Sequence, residues 1–129
     1  MFKLVVTMKR KPGLTTEEFK RYYNDRHLPF VKATLPPLSG TTRTHFRNFP
    51  ILDDPFLDIY LDGRGVKENP EFDCMTEVLF EDRESAIAYF KAFFEGEAYQ
   101  KIKEDEENLV DLSTVKFHVV ECIKTTRRV

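Results

Sequence analysis

Tryptophan is absent from these 129 residues, and only two cysteines and five glycines occur. Cys74 and Cys122 stand far apart in strand-like segments without C-x-x-C spacing. That argues against a disulfide framework and reads as two reduced core thiols. Sparse glycine leaves no Walker loop and no G-x-G-x-x-G after the first strand, and Gly63-Arg64-Gly65 reads as a turn. H-E-x-x-H, G-x-S-x-G and clustered Cys/His ligands are missing too, and the histidines His27, His45 and His118 are isolated in sequence. No metal and no cofactor is therefore expected. A formal charge of -2 gives no electrostatic reason for nucleic acid or an anionic membrane as partner. Lys9-Arg10-Lys11 and Arg127-Arg128 read as solvated strand ends. No apolar run approaches the roughly 20 residues of a membrane helix. Met1-Phe2-Lys3 leads at once into a strand rather than a signal peptide, so a cytoplasmic protein is expected.

What is present is phenylalanine. Twelve Phe in a chain that is 41% hydrophobic give a phenylalanine-built core, and the length suits one domain over residues 1–129. Phe2 to Arg10 reads as a strand, Pro12-Gly13 as a turn, and Thr15 with Glu18 as a capping box opening a helix from Thr16 to Thr34. Leu35-Pro36-Pro37 and Ser39-Gly40 end that helix, and Thr41 to Asn48 reads as the second strand. From Phe49 to Pro70 the composition shifts to Pro, Asp and Gly around one apolar island, Phe56 to Leu61. This stretch is too long for a plain hairpin loop, and the island is expected to pack over a pocket mouth or to add a strand across a partner. A third strand spans Cys74 to Phe80. Asp82 then caps a helix from Arg83 to Phe94, Gly96 breaks it, and a charged helical piece follows from Glu97 to Asn108. Its run Lys101 to Glu107 reads as a solvated face, and Thr114 to Lys124 as the fourth strand.

Two strand-helix-strand halves make an α+β domain: a four-stranded antiparallel sheet with its helices on one face. The helix-free face keeps Val5, Met75 and Leu79, and a second copy is the simplest cover for it. On the first helix Phe19, Tyr23, Arg26/His27 and Phe30 recur at helical steps, which sets His27 at the border of the buried face. His27 titrates near neutral pH, Tyr23 lies one turn before it, and Asn24 or Asp25 is placed to hydrogen-bond it. Partners on the strands are Arg43 and His45 on one face of the second, His118 with Lys116 and Val120 on the fourth, and the acids Asp73 and Glu77 on the third. Glu77 either tunes His27 or a substrate, or forms an ion pair at the dimer seam. His27 is either an acid/base lining a pocket or a core histidine bonded to a backbone carbonyl.

The run KRKPGLTTEEFKRYYNDRHLP, carrying Phe19, Tyr22, Tyr23, His27 and Pro29, resembles the opening signature of the EthD family, a branch of the dimeric α/β-barrel superfamily. Phe72 to Phe80, Asp105-Glu106-Glu107 with Val110-Asp111, and Lys116 to Glu121 resemble its second half. The resemblance implies a ferredoxin-like βαββαβ fold that pairs into a homodimeric barrel. It also implies a narrow band of reactions: proton transfer to or from carbon in a small, mostly apolar ring compound, as in muconolactone-type isomerases and in fungal decarboxylases or cyclases that tailor aromatic polyketides. Such chemistry needs a His acid/base and an orienting pocket. The expectation is a cofactor-independent lyase, isomerase or cyclase on a small aromatic or polyketide-like substrate. His27 and Tyr23 would be catalytic, and Tyr22, Asn24, Arg26, Arg43, His45, Glu77 and His118 would bind substrate, with Arg43 or Arg26 as counter-ion to a carboxylate. The alternative is a non-catalytic dimeric module that binds a small apolar metabolite or assists a degradation or biosynthetic pathway. A haem-degrading role is weakened by the aromatics beside the histidine. Light scattering at micromolar concentration should report about twice the 15.2 kDa chain mass, and a persistent monomer would rule out the barrel.

Overall fold

The computed structural model describes residues 1–37, 40–60 and 70–129. Its elements are β1 (Phe2–Arg10), α1 (Thr16–Tyr22), a π-helical turn (Tyr23–His27), α2 (Leu28–Thr34), β2 (Arg43–Asn48), α3 (Phe56–Tyr60), β3 (Cys74–Phe80), α4 (Arg83–Glu95), α5 (Ala98–Glu106) and β4 (Val110–Val120). The strands form one four-stranded antiparallel sheet in the order β2-β3-β1-β4. This is the ferredoxin-like arrangement, in which each half's first strand is central and its second an edge.

Local chemistry builds each joint as the residues require. Gly13 takes φ 95° in the turn after β1, a region that disfavours side chains with a Cβ. Thr15 and Glu18 form the reciprocal capping box of α1, and Asp82 caps α4 through the Ser85 amide at 2.7 Å. Gly96 closes α4. Alternation along β3 is strict: Cys74, Thr76, Val78 and Phe80 are buried beneath the helices, while Met75, Glu77 and Leu79 face the other way. On β1 the helix-side residues Val6 and Met8 join Phe19, Tyr23, Cys74, Leu109 and Val110 in the main cluster. Val78, Phe80 and Ala86 form a second one under α4.

Several sequence expectations are corrected. The first helix is interrupted, because Pro29 has no N–H and its ring would crowd the carbonyl of Asp25, four residues earlier. The wider π turn just before it absorbs this, with the Leu28 amide bonding the Tyr23 carbonyl. The fourth strand begins at Val110 rather than Thr114, because Arg10 pairs with Val110 and Lys9 with Asp111 before an irregularity shifts the register. It ends at Val120, and Cys122 is exposed beyond it, so only Cys74 is a core thiol. Phe56–Tyr60 is a short helix and not an added strand, started by the Asp54 carboxylate on the Phe56 amide at 2.9 Å. Phe56 and Ile59 are 62% and 77% exposed. Ser39, Leu61 and the Gly63-Arg64-Gly65 turn lie outside the described residues.

Phe19 is fully buried, edge-on to both Tyr23 and Phe49 at 6.1 Å. Phe19→Ala should lower stability by about 3–5 kcal/mol in urea unfolding; a loss under 1 kcal/mol would mean that this cluster collapses around the gap.

Candidate functional site

The π turn decides what the first helical stretch presents to the sheet. In an unbroken α-helix, successive steps of four residues drift around the axis, whereas the wider turn slows that drift over Tyr23–His27. Phe19, Tyr23 and His27 are consequently all buried, and the Tyr23 and His27 rings meet edge-on at 5.7 Å. His27 is 7% exposed, and its Nδ1 lies 2.7 Å from Asp105 Oδ2 on α5. The other carboxylate oxygen, Oδ1, accepts the Tyr22 hydroxyl at 2.7 Å.

This arrangement sets the tautomer. Burial pushes the Asp105 carboxyl up, but the hydrogen bonds from Tyr22 and His27 outweigh that and hold it below its ordinary range. An ionised carboxylate only accepts, so His27 donates from Nδ1. Nε2 has no protein partner among the described residues. An imidazole oriented in this way by a carboxylate is equipped to take or give a proton at Nε2. His27 is buried and bonded, by a carboxylate rather than the backbone carbonyl expected of a core histidine, and it also lines an open cleft.

The cleft has two lobes that share Val6, Tyr23, His27, Glu106 and Phe117. One, about 350 Å³, runs between α5 and β4 past Tyr99, Lys103 and Leu112. The other, about 240 Å³, runs under α2 and α4 past Arg43, His45, Tyr89, Phe90 and Phe93. At the junction Glu106 faces His27 from α5, and burial raises its carboxyl, a rise that a protonated His27 opposes. Burial also pushes the Tyr23 phenol up, so it stays a hydrogen-bond donor. It lowers His45 to about 4, helped by the charges of Arg43 and Arg47, which leaves that ring neutral at ordinary pH.

Of the residues named from sequence, the structure brings Tyr22, Tyr23, His27, Arg43 and His45 to or around this cleft. Asn24 sits behind it, accepting from Arg47 Nε at 2.9 Å, and neither it nor the exposed Asp25 bonds His27. Arg26 is exposed. Glu77 and His118 are corrected: both flank Val5 in the register and so project from the helix-free face. There Glu77 pairs with Lys3 at 2.7 Å and accepts from Asn48 at 3.2 Å. Asp73 is occupied by Arg10 at 2.6 Å.

Asp105 and Glu106 were missed inside the run read as solvated. The signal was the spacing Ile102, Asp105/Glu106, Leu109, whose apolar ends are both buried and place the two acids on the inward face. Among the described residues no group of three or more His, Cys, Asp or Glu is placed to hold a metal ion.

Glu106 yields a pH test. The folded chain holds this proton to higher pH than the unfolded chain, so its contribution to stability is full below the ordinary carboxylate range. That contribution is lost as pH rises from there through the raised folded value. Glu106→Gln should therefore match the native protein near pH 4 and melt higher at pH 8; parallel melting curves across that range would show that Glu106 ionises freely.

Comparison with known proteins agrees with this architecture. No curated protein matches the chain by sequence. A solved EthD-family protein from Bacillus halodurans C-125 superposes with a TM-score of 0.55 at 15% identity, covering 95% of this chain and 100% of its own. A hypothetical Arabidopsis thaliana protein does so in solution with a TM-score of 0.53 at 12% identity, over 98% of this chain and 91% of its own. A crystal structure of that plant protein gives 0.52 at 12% identity, over 98% and 100%. The EthD domain model matches residues 11–113, which include the capping box, the π turn and both acids of α5, and the chain belongs to the EthD family.

Proposed function

We propose that this chain is a cofactor-independent tailoring enzyme, a lyase, isomerase or cyclase working by general acid/base chemistry on a small aromatic or polyketide-like substrate. The observation that carries the proposal is the His27 to Asp105 contact at 2.7 Å beside a cleft that Nε2 is free to serve. In this reading neutral His27 removes a proton from substrate carbon at Nε2, and Asp105 stabilises the imidazolium that forms. Glu106, its carboxyl raised by burial, supplies the complementary proton. Tyr23 donates a hydrogen bond to the developing oxyanion, since its hydroxyl has no hydrogen-bond partner among the described residues. Tyr89, Phe90 and Phe93 line the second lobe with aromatic surface suited to an aromatic substrate.

The same proposal takes residues 1–129 as a single domain acting in the cytoplasm as a homodimer. It is supported by Val5, Met75 and Leu79, half-buried apolar side chains on the helix-free face that a second copy would cover. No helix of the described residues is long and apolar enough to cross a membrane.

The test runs in D₂O with hydroxybenzoates and aromatic 1,3-diketones, with NMR reading C–H exchange and loss of CO₂. His27→Gln and Glu106→Gln should each slow a turned-over compound by about 10²–10⁴-fold. Asp105→Asn, which disturbs only the orientation of the ring, should cost about 10–100-fold. Binding without exchange or carbon loss in any compound would assign the cleft to a non-catalytic carrier or accessory module instead.

A further inference from the structure

The inner face of β2 carries Arg43, the neutral ring of His45 and Arg47, lying opposite Phe80, Val78 and Thr76 of β3. The ion pairs among the described residues are Lys3 with Glu77, Arg10 with Asp73, and His27 with Asp105, so neither arginine has a carboxylate partner there. Arg47 is nevertheless engaged, donating Nε to Asn24 and lying over the Tyr23 ring at 6.0 Å. Arg43 is not: its guanidinium lies over the face of Tyr89 at 5.4 Å, exposed at the edge of the second lobe, with its donors unclaimed among the described residues. A guanidinium seated on an aromatic ring is held in orientation while its planar fork stays free for a two-oxygen acceptor. Phe90, Phe93 and Leu28 add apolar lining to the lobe, and from half-buried His45 the buried Tyr23 and His27 rings follow at 6.4 and 5.7 Å.

We infer that the second lobe is an anion-anchored substrate subsite: Arg43 takes the carboxylate of an aromatic acid at the mouth, and the ring system lies inward along His45 and Tyr23 toward His27. The inference rests on the reading of the cleft as a substrate site and adds the class of substrate and its direction of entry. Charge and burial agree with that orientation. The anion keeps water contact at an exposed arginine, the apolar body enters the desolvated end, and the proton-transfer groups meet the ring and not the carboxylate. Neutral His45 adds a hydrogen bond without competing for the charge.

The test uses 2-naphthoate and its neutral isostere 2-naphthamide in calorimetric titrations of the full chain. The native protein should prefer the acid by about ten- to a hundredfold. Arg43→Met should erase that preference while leaving the amide's affinity within about threefold, and Arg43→Lys, which keeps the charge and loses the fork, should retain part of it. His27→Gln should leave the preference intact. Bound naphthoate should also raise the His45 titration seen by NMR, because it adds a negative charge to a ring now faced by Arg43 and Arg47 from its own strand, His27 from the π turn and Glu106 from α5. Equal binding of acid and amide, or a preference that survives Arg43→Met, would overturn the anion subsite and leave the His27 chemistry standing. If neither compound bound the native protein at millimolar concentration, the reading of the cleft as a ligand site would fall, and the subsite with it.

Discussion

The contact between His27 and Asp105 is the constraint around which the molecule is arranged. It joins the π turn of the first half to α5 of the second across 78 residues of chain. It is also polar and nearly buried, and so it tolerates little error. An unmatched carboxylate or imidazole at that depth would be costly, whereas the matched pair is satisfied on both sides, with Tyr22 taking the second carboxylate oxygen. Everything that sets the spacing of the two helices therefore bears on it: the Phe19 cluster beneath one, Ile102 and Leu109 beneath the other, and the register of β1 between β3 and β4.

The π turn is the local device that makes the contact available. Pro29 is the cause, since the helix must widen upstream of a residue that can neither donate to Asp25 nor clear its carbonyl. The consequence is functional geometry, because the same widening keeps Tyr23 and His27 on one face instead of letting His27 drift toward solvent. A structural defect and a candidate catalytic histidine thus share five residues, in line with the frequent occurrence of π turns at working sites.

The fold was largely legible, because its signals are local. Turn chemistry at Pro12-Gly13, caps at Thr15 and Asp82, and alternation in Cys74 to Phe80 each act within a few residues, and the strand order follows from repeating one half. The candidate site was legible on the first helix and on β2, where alternation put Arg43 and His45 on one face. Periodicity placed Phe19, Tyr23 and His27 correctly, but Asp105 and Glu106 sat in a run whose composition suggested solvent. Phase rather than composition carried the information there, since Ile102 and Leu109 fix the inward face whatever lies between them. Glu77 and His118 failed for a different reason. Alternation tells which residues share a face of one strand; which face meets the helices depends on cross-strand register, and Val5 opposite both residues is a long-range fact.

Asp105 and Glu106 are adjacent in sequence and pushed in opposite directions, one carboxyl held low by the Tyr22 and His27 donors and the other raised by burial with no donor among the described residues. Neighbouring acids with separated proton affinities are what the proposed acid/base pair requires: a charge that steadies the imidazole, beside a carboxyl that holds its proton more tightly than usual. The separation comes from helical geometry. Consecutive residues on α5 point about 100° apart, which directs Asp105 to Tyr22 and His27 and Glu106 into the junction of the lobes. Placed together on one side, the two carboxylates would compete for the same donors and titrate as a pair, and neither role would be distinct.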